Sequence, residues 1–261
     1  DCFDSEQRPK LEDFGAYVFA VTRLPRFPEA PGLAERATEV DLFIGPNYLV
    51  TYHDGPVHGL ERLRRDAARD NRILARGADD VAARCLQALA DDTLEVLDEM
   101  DREIDDLEAA VFADTDSAAV ERLFRLRHEL SLLRRVLVPQ REVYNRFAWD
   151  NLPTVRPETR LYFREAFDRL VQVLDMVDNR RDLTAVALET HLSVASNRLN
   201  ETMRLLTAMQ MVFLPLTLIA SVYGMNFADL PPFRHPGGWA LVIGAMLVLA
   251  LAEYAVFRRR G

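Results

Sequence analysis

The chain has 261 residues, of which 49% are hydrophobic and 28% are charged, and its formal net charge is −9 at pH 7. This length allows one domain and an additional segment. The acidic balance argues against a nucleic-acid-binding protein, which usually shows a basic face. Cys2 and Cys85 lie far apart without a CxxC or Cys/His neighbour, so we interpret them as reduced structural thiols.

Residues 1 to about 60 have the pattern of short strands joined by turns. The run YVFAVTRL, residues 17–24, is rich in β-branched and aromatic residues. Residues 39–56 form two alternating runs around the turn Gly45-Pro46-Asn47. This part of the chain therefore predicts strands, including one hairpin.

From about Leu60 the apolar spacing becomes helical. Residues 91–108 hold ten Asp or Glu and a single Arg, with apolar residues three and four apart between them. A second helical stripe runs from Val120 to Leu137, and prolines break the pattern at Pro139 and in residues 151–157. These patterns predict acidic helices after the strands.

No proline or glycine occurs in residues 158–214. We therefore predict one continuous helix from Glu158 to Tyr223, roughly 100 Å long at 1.5 Å per residue. A helix of this length needs neighbours to stabilise it, namely the acidic helices and copies of itself.

Two uncharged stretches follow, residues 205–228 with 24 residues and residues 236–252 with 17. About 20 helical residues cross a bilayer core, so the stretches predict a transmembrane hairpin. Arg198 and Arg204 precede the first span, and residues 258–260 after the second are all Arg. The positive-inside rule then places both termini in the cytoplasm.

Polar and apolar residues three or four apart share one face of the first span: Asn200, Met203, Thr207, Gln210, Leu214, Thr217, Ser221 and Gly224. In lipid, such a stripe must face protein or water. Two interpretations remain open at this point. Several copies of the chain line a pore with this face, or the small and polar residues hold neighbouring helices together.

Residues 197–227, NRLNETMRLLTAMQMVFLPLTLIASVYGMNF, precede a short loop, a second span and a basic tail. This arrangement, with the Gly-Met-Asn signature at residues 224–226, resembles the CorA family of magnesium transporters. RPKLEDFGAYVFAV and GPNYLVTYHDGP near the N-terminus also resemble the family. The polar, abrupt start of the chain fits an α/β domain that lacks its first strands.

The resemblance implies a fold and an organisation. The fold class is an α+β cytoplasmic domain of αβα type, with its N-terminal strands partly missing, followed by a long stalk helix and a C-terminal two-helix transmembrane hairpin. The implied segments are a cytoplasmic funnel domain (1–157), a cytoplasmic stalk helix (158–204), a pore-lining first transmembrane helix (205–223), an extracytoplasmic loop (224–236), a second transmembrane helix (237–257) and a basic cytoplasmic tail (258–261).

The resemblance also implies a homopentamer with a central pore in the plasma (inner) membrane. The expected selectivity filter is Gly224, Met225 and Asn226, the last facing hydrated Mg²⁺. The expected pore-lining polar positions are Asn200, Gln210, Thr217 and Ser221, and Gln210 is bulkier and more polar than the small residue common there. The expected hydrophobic gate is Met203, Leu206 and Leu214.

Mg²⁺ is the implied substrate, with Co²⁺ and Ni²⁺ as lesser ones, and also the implied regulatory ligand inside the cell. Candidates for the regulatory site are Glu165, Asp168, Asp175, Asp178, Asp182 and Glu189. Pro232 stands where relatives often carry an acidic loop residue. The expected partners are copies of the chain, membrane lipid and divalent metal ions, without nucleic acid and without a catalytic cofactor.

Two alternatives remain. The first is a zinc transporter of the same superfamily, although the span has no Cys or His ring that would chelate zinc. The second is a membrane-anchored coiled-coil scaffold or sensor, which leaves the polar stripe and Asn226 unexplained. An enzyme is not expected, because the sequence has no nucleophile–base pairing, glycine-rich phosphate loop or metal-ligand motif.

Overall fold

The computed structural model describes residues 7–25, 37–113, 117–225 and 237–260. The chain divides into two compact units, an N-terminal unit of residues 1–191 and a C-terminal unit of residues 192–261. The N-terminal unit combines a sheet with helices, and the C-terminal unit consists of helices. This confirms the predicted fold class of an α+β domain, a long helix and two C-terminal apolar helices.

The sheet is an antiparallel meander of four strands in sequential order, namely β1 (Lys10–Asp13), β2 (Val18–Leu24), β3 (Thr38–Ile44) and β4 (Leu49–His53). β2 and the β3–β4 hairpin lie where the sequence predicts them. In the hairpin turn the Gly45 amide donates to the Tyr48 carbonyl over 2.9 Å. A Cβ atom on Gly45 would lie 2.2 Å from the Tyr48 ring, so a larger residue at this position would displace that ring.

Seven helices follow in the described part of the chain, namely α1 (His58–Arg69), α2 (Asn71–Ala75), α3 (Ala78–Ala113), α4 (Ser117–Leu137), α5 (Gln140–Trp149), α6 (Arg160–Tyr223) and α7 (Gly238–Arg260). α4 ends just before Pro139, as predicted. α6 begins two residues later than predicted and then continues without a break to Tyr223. The prediction of one continuous helix is therefore confirmed.

The core of the N-terminal unit lies between the sheet and the helices. Most residues of the central strands β2 and β3 are buried, and Ala20 and Leu42, which pair across these strands, are fully buried. On the helical side, the rings of Phe147 and Phe163 stack with centroids 4.9 Å apart. This contact joins α5 to the first turn of α6, because the two phenylalanines come from these helices.

A buried carboxylate holds the loop that leads into α6. Asp79 is only 4% exposed, and it accepts hydrogen bonds from the Arg156 backbone amide (3.1 Å), Nε (2.9 Å) and Nη2 (2.6 Å). Burial raises the pKa of Asp79, but the hydrogen bonds from Arg156 outweigh burial and bring the pKa below its ordinary value. The pair fixes the start of α6 against the first turn of α3.

Candidate functional site

α6 and α7 are the helices of the described chain that are long and apolar enough to cross a membrane. None of the residues in the apolar part of α6 is buried, and in α7 almost none is. A core helix of a water-soluble protein of this kind would be enclosed by other elements. The exposure of both helices therefore fits a lipid environment.

The residues that the sequence predicts for a pore lie exposed along α6 in the C-terminal unit. Met203, Leu206 and Leu214 have 52%, 48% and 76% of their surface exposed. The polar positions are exposed as well: Asn200, Gln210, Thr217 and Ser221. Because they are separated by three and four residues, they share one side of the helix.

The opposite side of α6 faces α7. Ala208 and Val212 are half-buried, and each is two residues, hence about 200°, away from Gln210 or Leu214. Ala208 and Val212 also line a groove of about 1080 Å³, to which α7 contributes lining residues. α7 therefore lies toward the side of α6 opposite Gln210, and Gln210 does not line the groove.

The groove between α6 and α7 collects only part of the predicted pore residues. Its lining includes Asn200, Met203 and Leu214, together with Arg204 of α6 and Glu253 of α7. Four other predicted residues do not line it: Leu206, Gln210, Thr217 and Ser221. The structure thus separates the predicted set into residues beside the groove and residues turned away from α7.

Two threonines of the polar stripe on α6 donate their hydroxyl protons to carbonyl groups of the same helix. Thr207 Oγ1 donates to the Met203 carbonyl over 2.8 Å, and Thr217 Oγ1 donates to the Phe213 carbonyl over 2.7 Å. A hydroxyl that donates to its own helix keeps only lone pairs for other partners. Both threonines therefore present hydrogen-bond acceptors, which suit the water molecules around a cation.

The predicted filter begins where α6 ends. The Gly224 amide donates to the Ala220 carbonyl over 2.8 Å, and a Cβ atom on Gly224 would lie 3.1 Å from that oxygen. Met225 follows with 53% of its surface exposed. Asn226 and the loop up to residue 236, which includes Pro232, lie outside the described residues.

Arginines of α6 pair with the acidic run of α3. Arg169 Nε lies 2.9 Å from Asp91 Oδ1, and Arg180 Nε lies 2.5 Å from Asp101 Oδ1. Burial raises the pKa of Asp101, and Arg180 opposes this effect. Sequence reasoning missed these partners, although the two arginines are 11 residues apart and the two acids 10, so that both separations are about three helical turns.

The candidate regulatory acids differ in their surroundings. Asp178 accepts from Arg134 over 2.6 Å, and Asp182 lies 3.4 Å from Arg181. Within the described part of the chain, four candidates make no ion pair: Glu165, Asp168, Asp175 and Glu189. No group of three or more His, Cys, Asp or Glu side chains among the described residues is arranged to hold a metal ion.

Taken together, the two exposed apolar helices and the polar stripe on one of them fit a membrane protein. Comparison with known proteins agrees: the family described as CorA-like Mg2+ transporter protein matches residues 1–259. The chain belongs to this family of divalent cation transporters, whose members are not enzymes.

Three relatives illustrate the similarity. The chain is 34% identical over 267 residues to the cobalt/magnesium transport protein CorA of Thermotoga maritima, with 100% of this chain and 74% of the relative covered. It is 29% identical to the zinc transport protein ZntB of Pectobacterium atrosepticum, with 97% and 76% covered. The solved CorA magnesium transporter of Methanocaldococcus jannaschii has the same fold, with a TM-score of 0.87, 24% identity, and 99% and 81% covered.

Proposed function

We propose that the protein is a homopentameric channel that carries Mg²⁺ into the cell, with Co²⁺ and Ni²⁺ as lesser substrates. The observation that carries this proposal is the position of the polar stripe of α6. Three of its polar residues, Gln210, Thr217 and Ser221, are exposed and do not line the groove between α6 and α7. A polar stripe in a membrane must face protein or water. An assembly of several copies around an axis meets this requirement, because the stripes of all copies then face a common water-filled centre.

The chemistry of the stripe suits a hydrated cation. Mg²⁺ prefers octahedral oxygen ligands and gives up its water slowly. Thr207 and Thr217 offer acceptors to the ion's waters, and Asn226 offers an amide oxygen at the outer mouth. These groups are neutral, so they select the hydrated ion by size and hydrogen bonding without holding it too tightly for release.

Apolar rings provide the gate. Met203, Leu206 and Leu214 share the exposed side of α6 with the polar residues. Five copies of each side chain around an axis form constrictions that close by excluding water. The membrane potential drives Mg²⁺ inward by about 4.6 kcal/mol per 100 mV, because each elementary charge contributes about 2.3 kcal/mol.

The orientation follows from the basic residues at the ends of the two spans. Arg198 and Arg204 precede the first span, and residues 258–260 follow the second. The positive-inside rule places these ends in the cytoplasm of a cell with this protein in its plasma membrane. The N-terminal unit then lies on the cytoplasmic side and senses internal Mg²⁺.

Internal Mg²⁺ closes the channel in this proposal by binding between protomers. Asp168, Asp175 and Glu189 support it best, because these stalk acids make no ion pair in the described part of the chain. Asp178 is the weakest candidate, because Arg134 neutralises it. If uptake into liposomes is the same with or without millimolar Mg²⁺ on the N-terminal side, this regulation is wrong.

Uptake by liposomes tests the transport proposal. Liposomes that contain the full chain and an entrapped Mg²⁺-sensitive dye are given an inside-negative potential, and wild type is compared with Asn226→Ala. Asn71→Ala serves as the matched control, because Asn71 is exposed at the start of α2 in the N-terminal unit. We expect rapid uptake by wild type and the control and a large loss in Asn226→Ala. Equal uptake by all three contradicts the role of Asn226.

Zinc transport is the second candidate, because a zinc transport protein covers 97% of this chain at 29% identity. The same liposomes with a Zn²⁺-sensitive dye separate the two candidates by their relative rates. Uptake of neither metal by wild type favours the third possibility, a membrane-anchored scaffold or sensor.

A further inference from the structure

Gln210 occupies an unusual position in the proposed pathway. It lies four residues from Leu206 and four from Leu214, hence about 6 Å along the helix axis from each. All three side chains are exposed in the C-terminal unit. A long polar side chain thus stands midway between two apolar residues of the predicted gate.

The hairpin itself gives the Gln210 amide no partner. Gln210 does not line the groove between α6 and α7, and its neighbours Ala208 and Val212 mark the covered side about 200° away. Among the residues that the structure describes, no hydrogen bond reaches the Gln210 side chain. Since lipid offers no hydrogen bonds at this depth, the amide requires water or another copy of the chain.

An amide group is complementary to itself. The Gln210 side chain carries two N–H donors and a carbonyl acceptor, so the nitrogen of one copy can donate to the oxygen of the next. Such a ring leaves one carbonyl lone pair and one N–H of each copy for water. A ring of glutamines therefore satisfies itself between copies and also holds water at its centre.

We infer that Gln210 forms a polar ring within the hydrophobic gate, at which the hydrated cation pauses between Leu206 and Leu214. The inference rests on the proposed function and adds a specificity-determining residue to it. The amide oxygens accept hydrogen bonds from the waters of the ion, and their neutrality lets the ion leave. Without this ring, Leu206 to Leu214 form an apolar stretch of about 12 Å, over which a narrow pore excludes water.

A competing role is plain packing, in which Gln210 holds helices together and takes no part in conduction. Three variants of the full chain separate the two roles. Gln210→Leu keeps the volume and removes the amide, and Gln210→Asn keeps a shorter amide. Met209→Leu is the matched control, because Met209 lies at the same depth, is 60% exposed and belongs to another side of α6.

Mg²⁺ uptake by liposomes is measured beside the mass of the detergent-solubilised oligomer by light scattering. We expect Gln210→Leu to lower the initial uptake rate by about tenfold, because the hydrogen bonds of the amide with the ion's waters are lost. Gln210→Asn should keep most of the wild-type uptake rate, and Met209→Leu should keep all of it. Every variant should have the oligomer mass of wild type.

Two results overturn the inference while the proposed function stands: wild-type uptake with an unchanged rate in Gln210→Leu, or a lower rate accompanied by dissociation of the oligomer. The second result assigns Gln210 to packing. No Mg²⁺ uptake by wild type contradicts the proposed function itself, and the inference then fails with it.

Discussion

Asp79→Asn should destabilise the N-terminal unit strongly. Asp79 accepts three hydrogen bonds from Arg156 and is 4% exposed. An asparagine of the same shape turns an N–H₂ group or a weaker acceptor toward the guanidinium. Removal of one partner from a buried ion pair costs about 3–5 kcal/mol. The Arg156 side chain is 55% exposed, so water can replace the lost partner of its guanidinium. We therefore expect the free energy of unfolding to fall by about 3 kcal/mol, the lower end of this range.

This cost converts to a fall of about 6–12 °C in the unfolding midpoint of a unit of this size. Thermal unfolding at pH 7 in detergent is followed by tryptophan fluorescence. The background variant Trp239→Phe leaves Trp149 as the only tryptophan of the two in the sequence. Trp149 reports on the right region, because its ring contacts Phe167 edge-on with centroids 4.9 Å apart.

Glu121→Gln in the same background is the matched control. Glu121 forms an exposed ion pair with Arg125 four residues along α4, with the two side chains 72% and 46% exposed. Pairs of this kind contribute little to stability, so the midpoint of the control should equal that of the background. A midpoint for Asp79→Asn within about 2 °C of the background, well below the range expected for a buried pair, would refute the reasoning about Asp79.

Three further predictions concern buried groups. The pKa of Asp79 lies below its ordinary value, so its stabilising effect is present above that ordinary value and is lost as the pH falls through the lowered pKa. Acid unfolding should therefore show a larger loss of stability in wild type than in Asp79→Asn. Burial raises the pKa of the Cys85 thiol to about 12, so in a Cys2→Ser variant a thiol reagent at pH 8 should label the chain only after denaturation. Tyr144→Phe should lower the free energy of unfolding by about 1 kcal/mol in a denaturant titration, because the buried hydrogen bond to the Leu86 carbonyl, 3.0 Å long, is lost.

Local patterns predicted the main elements of the fold. The turn at Gly45 separates two β-branched runs, and both strands form as expected. The long helix was predictable because residues 158–214 contain no proline or glycine, and Pro215, inside the helix, does not end it. β1 escaped a specific prediction, because its four residues, KLED, are too short and too polar to show a strand pattern.

Spacing in the sequence predicted which residues share a side of α6, and it did not predict which residues surround them. Spacing along α6 placed Leu206, Gln210 and Leu214 on one side, because helical geometry depends only on separation in the sequence. Spacing did not reveal that Arg180 pairs with Asp101, which is 79 residues earlier in the chain. Arginines of α6 therefore neutralise part of the acidic run of α3, which the sequence pattern alone did not show.

The sequence alone identifies two apolar segments long enough to cross a membrane and determines which residues share a face of each helix. Both properties are local, since membrane insertion depends on a run of uncharged residues and a helical face depends on a period of 3.6. The tertiary structure decides which side of α6 is covered by α7 and which acids lack an ion pair. These properties depend on contacts between residues far apart in the chain, as in the pairing of α3 with α6, and no local pattern specifies them.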